Sequence, residues 1–342
     1  MTSPIAPALA RLGARLGELT ATFGRRVDGG ALGILDRAGQ LPLDAPGLAS
    51  PNQACRLFRA GDGWMALNLA REEDRELIGA WLEREVAGDP WAAVAAGAAD
   101  YSRAALVERA ALLGLPAAAV GEVVRDGPEA PRLALGRGAA RRSGSALKVI
   151  DLSALWAGPL CGAILAAMGA QVVKVESVRR PDPTRASTPE FYRRLNGGKT
   201  ELALDLATAE GQARLRGEID GCDVLITSAR PRAFEGLGLD PQAVFARNPG
   251  LVWTATTGYG WTGEASRRVA FGDDAAAAGG LVGWTADGEP RFLGDALADP
   301  VTGLAAAVGT LDALQAGGGL VDVSLAGSAA GAAAVCGIAR AA

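Results

Sequence analysis

Between residues 5 and 24, Leu9, Leu12, Leu16 and Leu19 recur at helical spacing, with Arg11, Arg15 and Glu18 between them. This predicts an amphipathic helix docked on a core or a partner; its polar face is not basic enough for a membrane surface. Pro42, Pro46 and Pro51, with Gly39 and Gly47, predict an irregular connection. The run CRLFRAGDGWMALNL reads as a β-hairpin turning at Ala60-Gly61-Asp62-Gly63. EEDRELIGAWLEREV reads as one helix, and SRAALVERAALLGLPAAAV as a second that stops near Gly114-Leu115-Pro116. Residues 126 to 146 are rich in Arg, Gly, Pro and Ser without apolar periodicity, which predicts an interdomain linker.

From Lys148 short apolar runs alternate with helical patterns. KVIDL predicts a buried strand, LCGAILAAMGA an apolar helix ended by Gly169, and QVVKVE the next strand. ELALDL, DVLIT, LVWTATTGYG and LVDVSL continue as strands, with helices from Thr208 to Ile219 and over PVTGLAAAVGTLDAL. Strand–helix–strand alternation implies a parallel sheet with right-handed crossovers. The expected fold is therefore α/β, a Rossmann-like doubly wound parallel sheet domain plus a smaller α+β domain. The expected division is helix and connection over 1–47, small domain over 48–125, linker over 126–146 and large domain over 147–342. No G-x-G-x-x-G follows the first strand of the large domain, so nicotinamide binding is not supported.

Composition narrows the chemistry. The chain has no histidine, which removes Ser-His-Asp and Cys-His hydrolysis, His-containing zinc sites and imidazole bases. Acid–base work falls to Asp, Glu, Lys, Tyr or Cys. Cys55, Cys161, Cys222 and Cys336 are scattered, with no C-x-x-C pair, so no metal site or redox pair is expected. With no secretory pattern ahead of them, a cytoplasmic setting is the expectation. A net charge of −4 without Lys/Arg runs argues against nucleic acid, and no apolar stretch reaches membrane-spanning length.

Five segments carry a resemblance. KVIDLSALWAGPLCGAILAAMGAQVVKVE, NGGKTELALDL, CDVLITSARPRAFEGLGL, TATTGYGWTG and FLGDALADPVTGLAAAVGTLDAL with LVDVSL together resemble the large domain of the family III coenzyme A transferases, over residues 147 to about 330. That group also includes α-methylacyl-CoA racemases and the carnitine and bile-acid CoA enzymes. RLFRAGDGWMALNLAREEDRELIGAWL and ALLGLPAAAV resemble the family's small domain, but lie upstream of the large one instead of downstream. The order looks circularly permuted, which is physically plausible when chain ends lie close at the surface.

The resemblance implies an acyl-CoA and a carboxylic acid acceptor as substrates, no tightly bound cofactor and an interlaced homodimer. It places Leu155, Trp156 and Ala157 by the thioester, Lys199 toward the nucleotide phosphates, and Arg230 and Tyr259 near the ligand; Arg179, Arg180 and Arg185 are spaced to offer further positive charge. Trp156, Trp253, Trp261 and Trp284 are candidates to shape an acyl pocket. In such transferases an aspartate attacks the thioester. Its position here falls on Gly272, followed by Asp273 and Asp274. Asp273 is the leading nucleophile if the loop shifts by one residue; otherwise both acids are helix-start carboxylates. Asp299 matches the acidic partner of the racemases, whose histidine has no counterpart. CoA transfer is the first expectation. The alternatives are a dehydratase, lyase or isomerase using Asp299 or Asp273 for proton transfer, or a non-catalytic CoA binder.

Overall fold

The computed structural model describes residues 4–128, 132–133, 138–139 and 146–338. Most of the expected linker lies outside them. The first helix, α1 (Ala6–Phe23), buries Leu12, Leu16 and Leu19 as its apolar stripe requires. The hairpin forms as β1 (Cys55–Ala60) and β2 (Gly63–Asn68), with Cys55 opposite Asn68 and Ala60 opposite Gly63. The helix expected over EEDRELIGAWLEREV breaks into α2 (Glu72–Glu76) and α3 (Ile78–Leu82), with Leu77 between them. It ends at Glu83, which takes a left-handed φ of 52°. After α4 (Pro90–Gly97) and α5 (Arg103–Leu113), Gly114 caps α5 in the left-handed region, as glycine does best. The chain then turns into β3 (Ala117–Ala119), a third strand that an all-alanine run did not announce.

A short β4 (Arg132–Leu133) precedes the large sheet. The chain continues through β5 (Lys148–Leu152), α6 (Ala157–Met168), β6 (Gln171–Ser177), α7 (Thr184–Ser187), α8 (Pro189–Asn196) and β7 (Thr200–Leu204). Next come α9 (Ala209–Asp220), β8 (Val224–Thr227), α10 (Arg232–Glu235), α11 (Pro241–Arg247) and β9 (Val252–Thr257). It closes with α12 (Gly272–Ala278), the hairpin β10 (Val282–Trp284) and β11 (Pro290–Phe292), α13 (Ala298–Gln315), β12 (Gly319–Ser324) and α14 (Leu325–Val335). The sheet order is β4-β12-β9-β8-β5-β6-β7, parallel except for β4. The α/β expectation holds.

Both faces of the sheet are covered, which is why its strands read as nearly continuous apolar runs. One face packs on α1, α6, α13 and α14 through Leu16, Leu160, Ile164, Val301 and Leu304. The other packs on α9 and α11 through Leu215, Ile219, Val244 and Phe245. Trp253 is fully buried on this second face, edge-on to Phe234 and Trp261, so it belongs to the core and not to an acyl pocket. Helices α6 and α13 approach closely at Gly303. A Cβ there would overlap Leu160 Cδ2 and lie 2.8 Å from Leu160 Cβ.

The first strand, β5, has β6 on one side and β8 on the other. The order in which strands are added therefore reverses about β5, and the loops after β5 and β8 meet at a topological switch point, where open α/β sheets place ligands. Ala154 N–H donates to Ser228 Oγ at 2.8 Å, tying the two loops together. The three-stranded unit docks beside this point. Cys55, Leu57 and Ala66 pack on Ala277, Val282 and Phe292, and Gly121 N–H bonds to the Ala277 carbonyl.

Candidate functional site

Three helix starts converge at the switch point: α6, α12 and α13. Asp273 and Asp274 open α12 and Asp299 opens α13, where carboxylates are favoured by the helix dipole. The Ala157 backbone N–H at the start of α6 faces Asp299 and favours its charged form. Asp273 Oδ1 accepts from Ala296 N–H, and its Oδ2 from Asn52 Nδ2, both at 2.7 Å. Asn52 Nδ2 also donates to Asp295 Oδ1 at 2.7 Å. Arg37 grips Asp295 with two bonds, of 2.8 and 2.7 Å, and lies 5.1 Å from the Trp156 ring centre. Trp156 is anchored by its indole N–H on the Ile34 carbonyl at 2.9 Å.

Asp273, Asp295 and Asp299 thus share one cation. Burial pushes the Asp273 carboxyl up to about 6; the Asn52 bond lowers it and the nearby Asp295 charge raises it. Burial also pushes Asp299 up to about 7, with Arg37 pulling down and Asp273 pushing up. Desolvation and like charge both disfavour an anion, and here both act. Asp274 is different in kind. Its Oδ1 accepts from Phe271 N–H at 2.9 Å as a helix cap, its Oδ2 has no partner, and burial raises it well above the ordinary range. Among the described residues no group of acids and cysteines is arranged to hold a metal ion.

Gly272 is where the nucleophile position falls in sequence. A Cβ at this residue would overlap Asp299 Oδ2 and sit 2.7 Å from Ala296 Cβ. The glycine therefore gives its side-chain space to the Asp299 carboxylate. Backbone strain concentrates here too. Four non-glycine residues among those described have φ in the left-handed region, and Gln53 (62°), Leu155 (70°) and Ala296 (45°) all border the cluster. Each costs about 1–3 kcal/mol, and such strain gathers at functional sites.

The loop Ser153–Leu155 is held from below. Leu155 N–H donates to Asp182 Oδ2 at 3.1 Å, Ser153 N–H to Asp151 Oδ1 at 3.0 Å, and Lys174 Nζ to the Ser153 carbonyl. Lys199 does not face a phosphate. Its side chain is 0% exposed, and Nζ bonds to Asp151 Oδ2 (2.7 Å), Asn196 Oδ1 (2.8 Å) and the Pro159 carbonyl (2.9 Å). All three ammonium donors are used, which leaves none for a ligand in this conformation. Burial alone would raise Asp151, but Lys199 and Lys174 outweigh it and hold its carboxyl below the usual range.

The other expected positions are spread around this centre. Arg185 pairs with Glu176 and Glu201, at 2.9 Å each, and stacks 4.3 Å from the Tyr192 ring centre. Arg230 is exposed and donates to the Arg267 carbonyl at 3.2 Å; among the described residues no carboxylate pairs with it, while Arg232 and Arg71 lie close enough to repel it. Tyr259 lies under Arg268, whose guanidinium carbon is 3.8 Å from its ring centre and which also bonds the Tyr259 hydroxyl and Glu122. Leu155 is partly exposed, whereas Trp156 and Ala157 are buried. Sequence reasoning missed Arg37, Asn52 and the role of Asp295. No local motif marks them, because they meet Asp273 only through tertiary packing.

A family model described as CoA-transferase family III matches residues 145–336. The chain is 34% identical over 178 residues to a succinyl-CoA–D-citramalate CoA-transferase of Chloroflexus aurantiacus, covering 49% of this chain and 44% of that protein. It is 34% identical over 175 residues to a succinate–glutarate CoA-transferase of Agrobacterium fabrum, covering 47% and 44%. A crystal structure of a CAIB/BAIF family protein from Brucella suis superposes with a TM-score of 0.52 at 31% identity, over 55% of this chain and 54% of that one. The chain spans about half the length of the curated relatives it matches.

Proposed function

The chain belongs to CoA-transferase family III, and on that footing we propose that it moves coenzyme A between carboxylic acids through the carboxylates of α12 and α13. The observation that carries this is the convergence of Asp273 and Asp299 at three helix starts beside the switch point of the sheet. The Asp273 carboxylate attacks the thioester carbonyl, the C–S bond breaks, and a mixed anhydride and the CoA thiolate form. The thiolate attacks the aspartyl carbonyl and expels the donor acid as a carboxylate, leaving an aspartyl-CoA thioester. The acceptor carboxylate attacks that thioester to give a second anhydride and the thiolate. Thiolate attack on the acceptor carbonyl forms the new acyl-CoA and frees the aspartate. Asp299, raised to about 7 by burial, can hold a proton beside the Asp273 anion. Its seat at the start of α6 puts it beside the Leu155–Ala157 loop, where the thioester would lie.

Arg230, free of carboxylate partners among the described residues, is the cation offered to the CoA phosphates. Residues 48–125 act as the small domain, permuted ahead of the large domain over 147–342, with 1–47 bracing the site through Arg37. The working form is a cytoplasmic homodimer with no tightly bound cofactor; a stable monomer in sedimentation at micromolar concentration would contradict the dimer.

The test is CoA exchange from a panel of acyl-CoAs, beginning with succinyl-CoA, to free dicarboxylic acids. Asp273→Ala should abolish transfer while CoA affinity stays within a fewfold. A second reading is proton transfer on the acyl chain. It is favoured by the position of Asp299 in the space of a residue-272 side chain. If Asp299→Ala stops turnover and Asp273→Ala does not, that reading replaces the first.

A further inference from the structure

Asn52 lies well outside the segment matched by the family model, yet it touches two of the three clustered acids. Its amide cannot turn over. Asn52 Oδ1 accepts Ala54 N–H at 2.9 Å and the Ser50 hydroxyl at 2.9 Å, so the oxygen side is fixed by a backbone donor. Ser50 is itself fully buried and accepts Cys55 N–H at 3.0 Å through its hydroxyl oxygen. The Nδ2 group must therefore face the acids.

An amide nitrogen only donates. One Nδ2 hydrogen serves Asp273 Oδ2 and the other Asp295 Oδ1, each at 2.7 Å. Asp273 Oδ1 already accepts Ala296 N–H. Asp295 accepts from Arg37 at both oxygens. Every oxygen of Asp273 and Asp295 thus meets a donor, and donors on both oxygens favour the charged form of the carboxylate. Asp299 is faced by the Ala157 N–H and, among the described residues, takes no side-chain hydrogen bond. The charged and titratable groups around Asp273 are Arg37 from the N-terminal segment, Cys55 from β1, Asp274 on its own helix, Asp295 from the preceding loop and Asp299 from α13. Arg71 and Tyr259 face Asp274 beyond them.

We propose that Asn52 is a positioning residue that keeps Asp273 as the anion and leaves the proton of the cluster to Asp299. The division separates nucleophile from acid in a pair of carboxylates whose burial alone would make them alike. The inference rests on the reading that these carboxylates react.

The test is a titration of the substrate-free protein carrying carboxyl-labelled aspartate, followed by carbon NMR and assigned with Asp273→Asn and Asp299→Asn. Asp273 should titrate below Asp299. Asn52→Ala should raise the Asp273 midpoint by about one pH unit or more, closing the gap, and Asn52→Ser, which keeps a small polar group but cannot reach, should do the same. A purely structural asparagine would lower the melting temperature and leave the order and the Asp273 midpoint unmoved, which would overturn the proposal. If neither variant folds, the wild-type order decides: Asp273 titrating at or above Asp299 overturns it, and the reverse supports it. Because no turnover is needed, a chain that shows these shifts but transfers no CoA would sink the functional reading and leave the role of Asn52 standing.

Discussion

Two groups of buried charge flank the start of α6, and they are balanced differently. Beneath the loop after β5, Asp151 and Asp182 face Lys199 and Lys174, all four side chains fully buried. Across the helix start, Asp273, Asp295 and Asp299 face Arg37 alone. The first group is neutral as a whole and has its hydrogen bonds filled, so it holds shape: it fixes Ser153 and the left-handed Leu155. The second carries more negative charge than its surroundings neutralise, so two of its members are pushed toward neutral pH. Matched buried charge builds the platform, and unmatched buried charge marks the proposed reactive centre.

The largest effect should come from unbalancing the first group. Lys199→Met leaves Asp151 buried without its main partner and should cost about 3–5 kcal/mol. Denaturant midpoints would measure it, and adding Asp151→Leu should recover most of the loss. If Lys199→Met is tolerated as a single change, the pair does not hold the platform.

Relieving the second group should do the opposite. A carboxyl raised in the folded state stabilises the fold fully below its unfolded value, and that stability is lost as pH rises through the folded value. For Asp299 the loss falls between about pH 4 and its value of about 7. Asp299→Asn should therefore stabilise the protein at pH 8 by on the order of 2–4 kcal/mol and much less at pH 5. Melting curves at the two pH values would show it; equal effects at both would mean that Asp299 is not strained by charge.

Gly272→Ala sharpens the contrast from a third side. The added methyl overlaps Asp299 Oδ2 and crowds Ala296, so about 1–3 kcal/mol of stability should be lost. The smallest effect belongs to Arg185, which is itself partly exposed and pairs with the exposed Glu201 and with Glu176, a mostly buried carboxylate that keeps its bonds from the Tyr192 hydroxyl and Asp182 N–H. Arg185→Gln should change stability by about 0.5 kcal/mol or less. A large loss there would mean that surface pairing matters as much as buried pairing.

Sequence periodicity located the sheet well, because its strands are short apolar runs punctuated by glycine and capped helices; Thr208 caps α9 by accepting Gly211 N–H, as its position ahead of the helix suggests. It placed the acids too, since Asp273 and Asp299 sit at helix starts. It did not place β3, whose alanines carry no strand preference, nor the break at Leu77, a residue that packs against the cluster holding Trp81 and Leu82. The lysine expected at a phosphate is a core ion pair, and its partner Asp151, on β5, lies 48 residues upstream, beyond the reach of any local pattern. Arg37 and Asn52 reach Asp295 and Asp273 across 258 and 221 residues, and no local pattern carries that information.

The most direct measurement is covalent. Incubation with an acyl-CoA followed by hydroxylamine converts an aspartyl anhydride or thioester into a hydroxamate that peptide mass spectrometry can place. A CoA transferase working through α12 should yield the hydroxamate on Asp273, with none in Asp273→Ala. A chain that turns over acyl-CoA with no labelled aspartate, or with the label surviving in Asp273→Ala, would contradict the account.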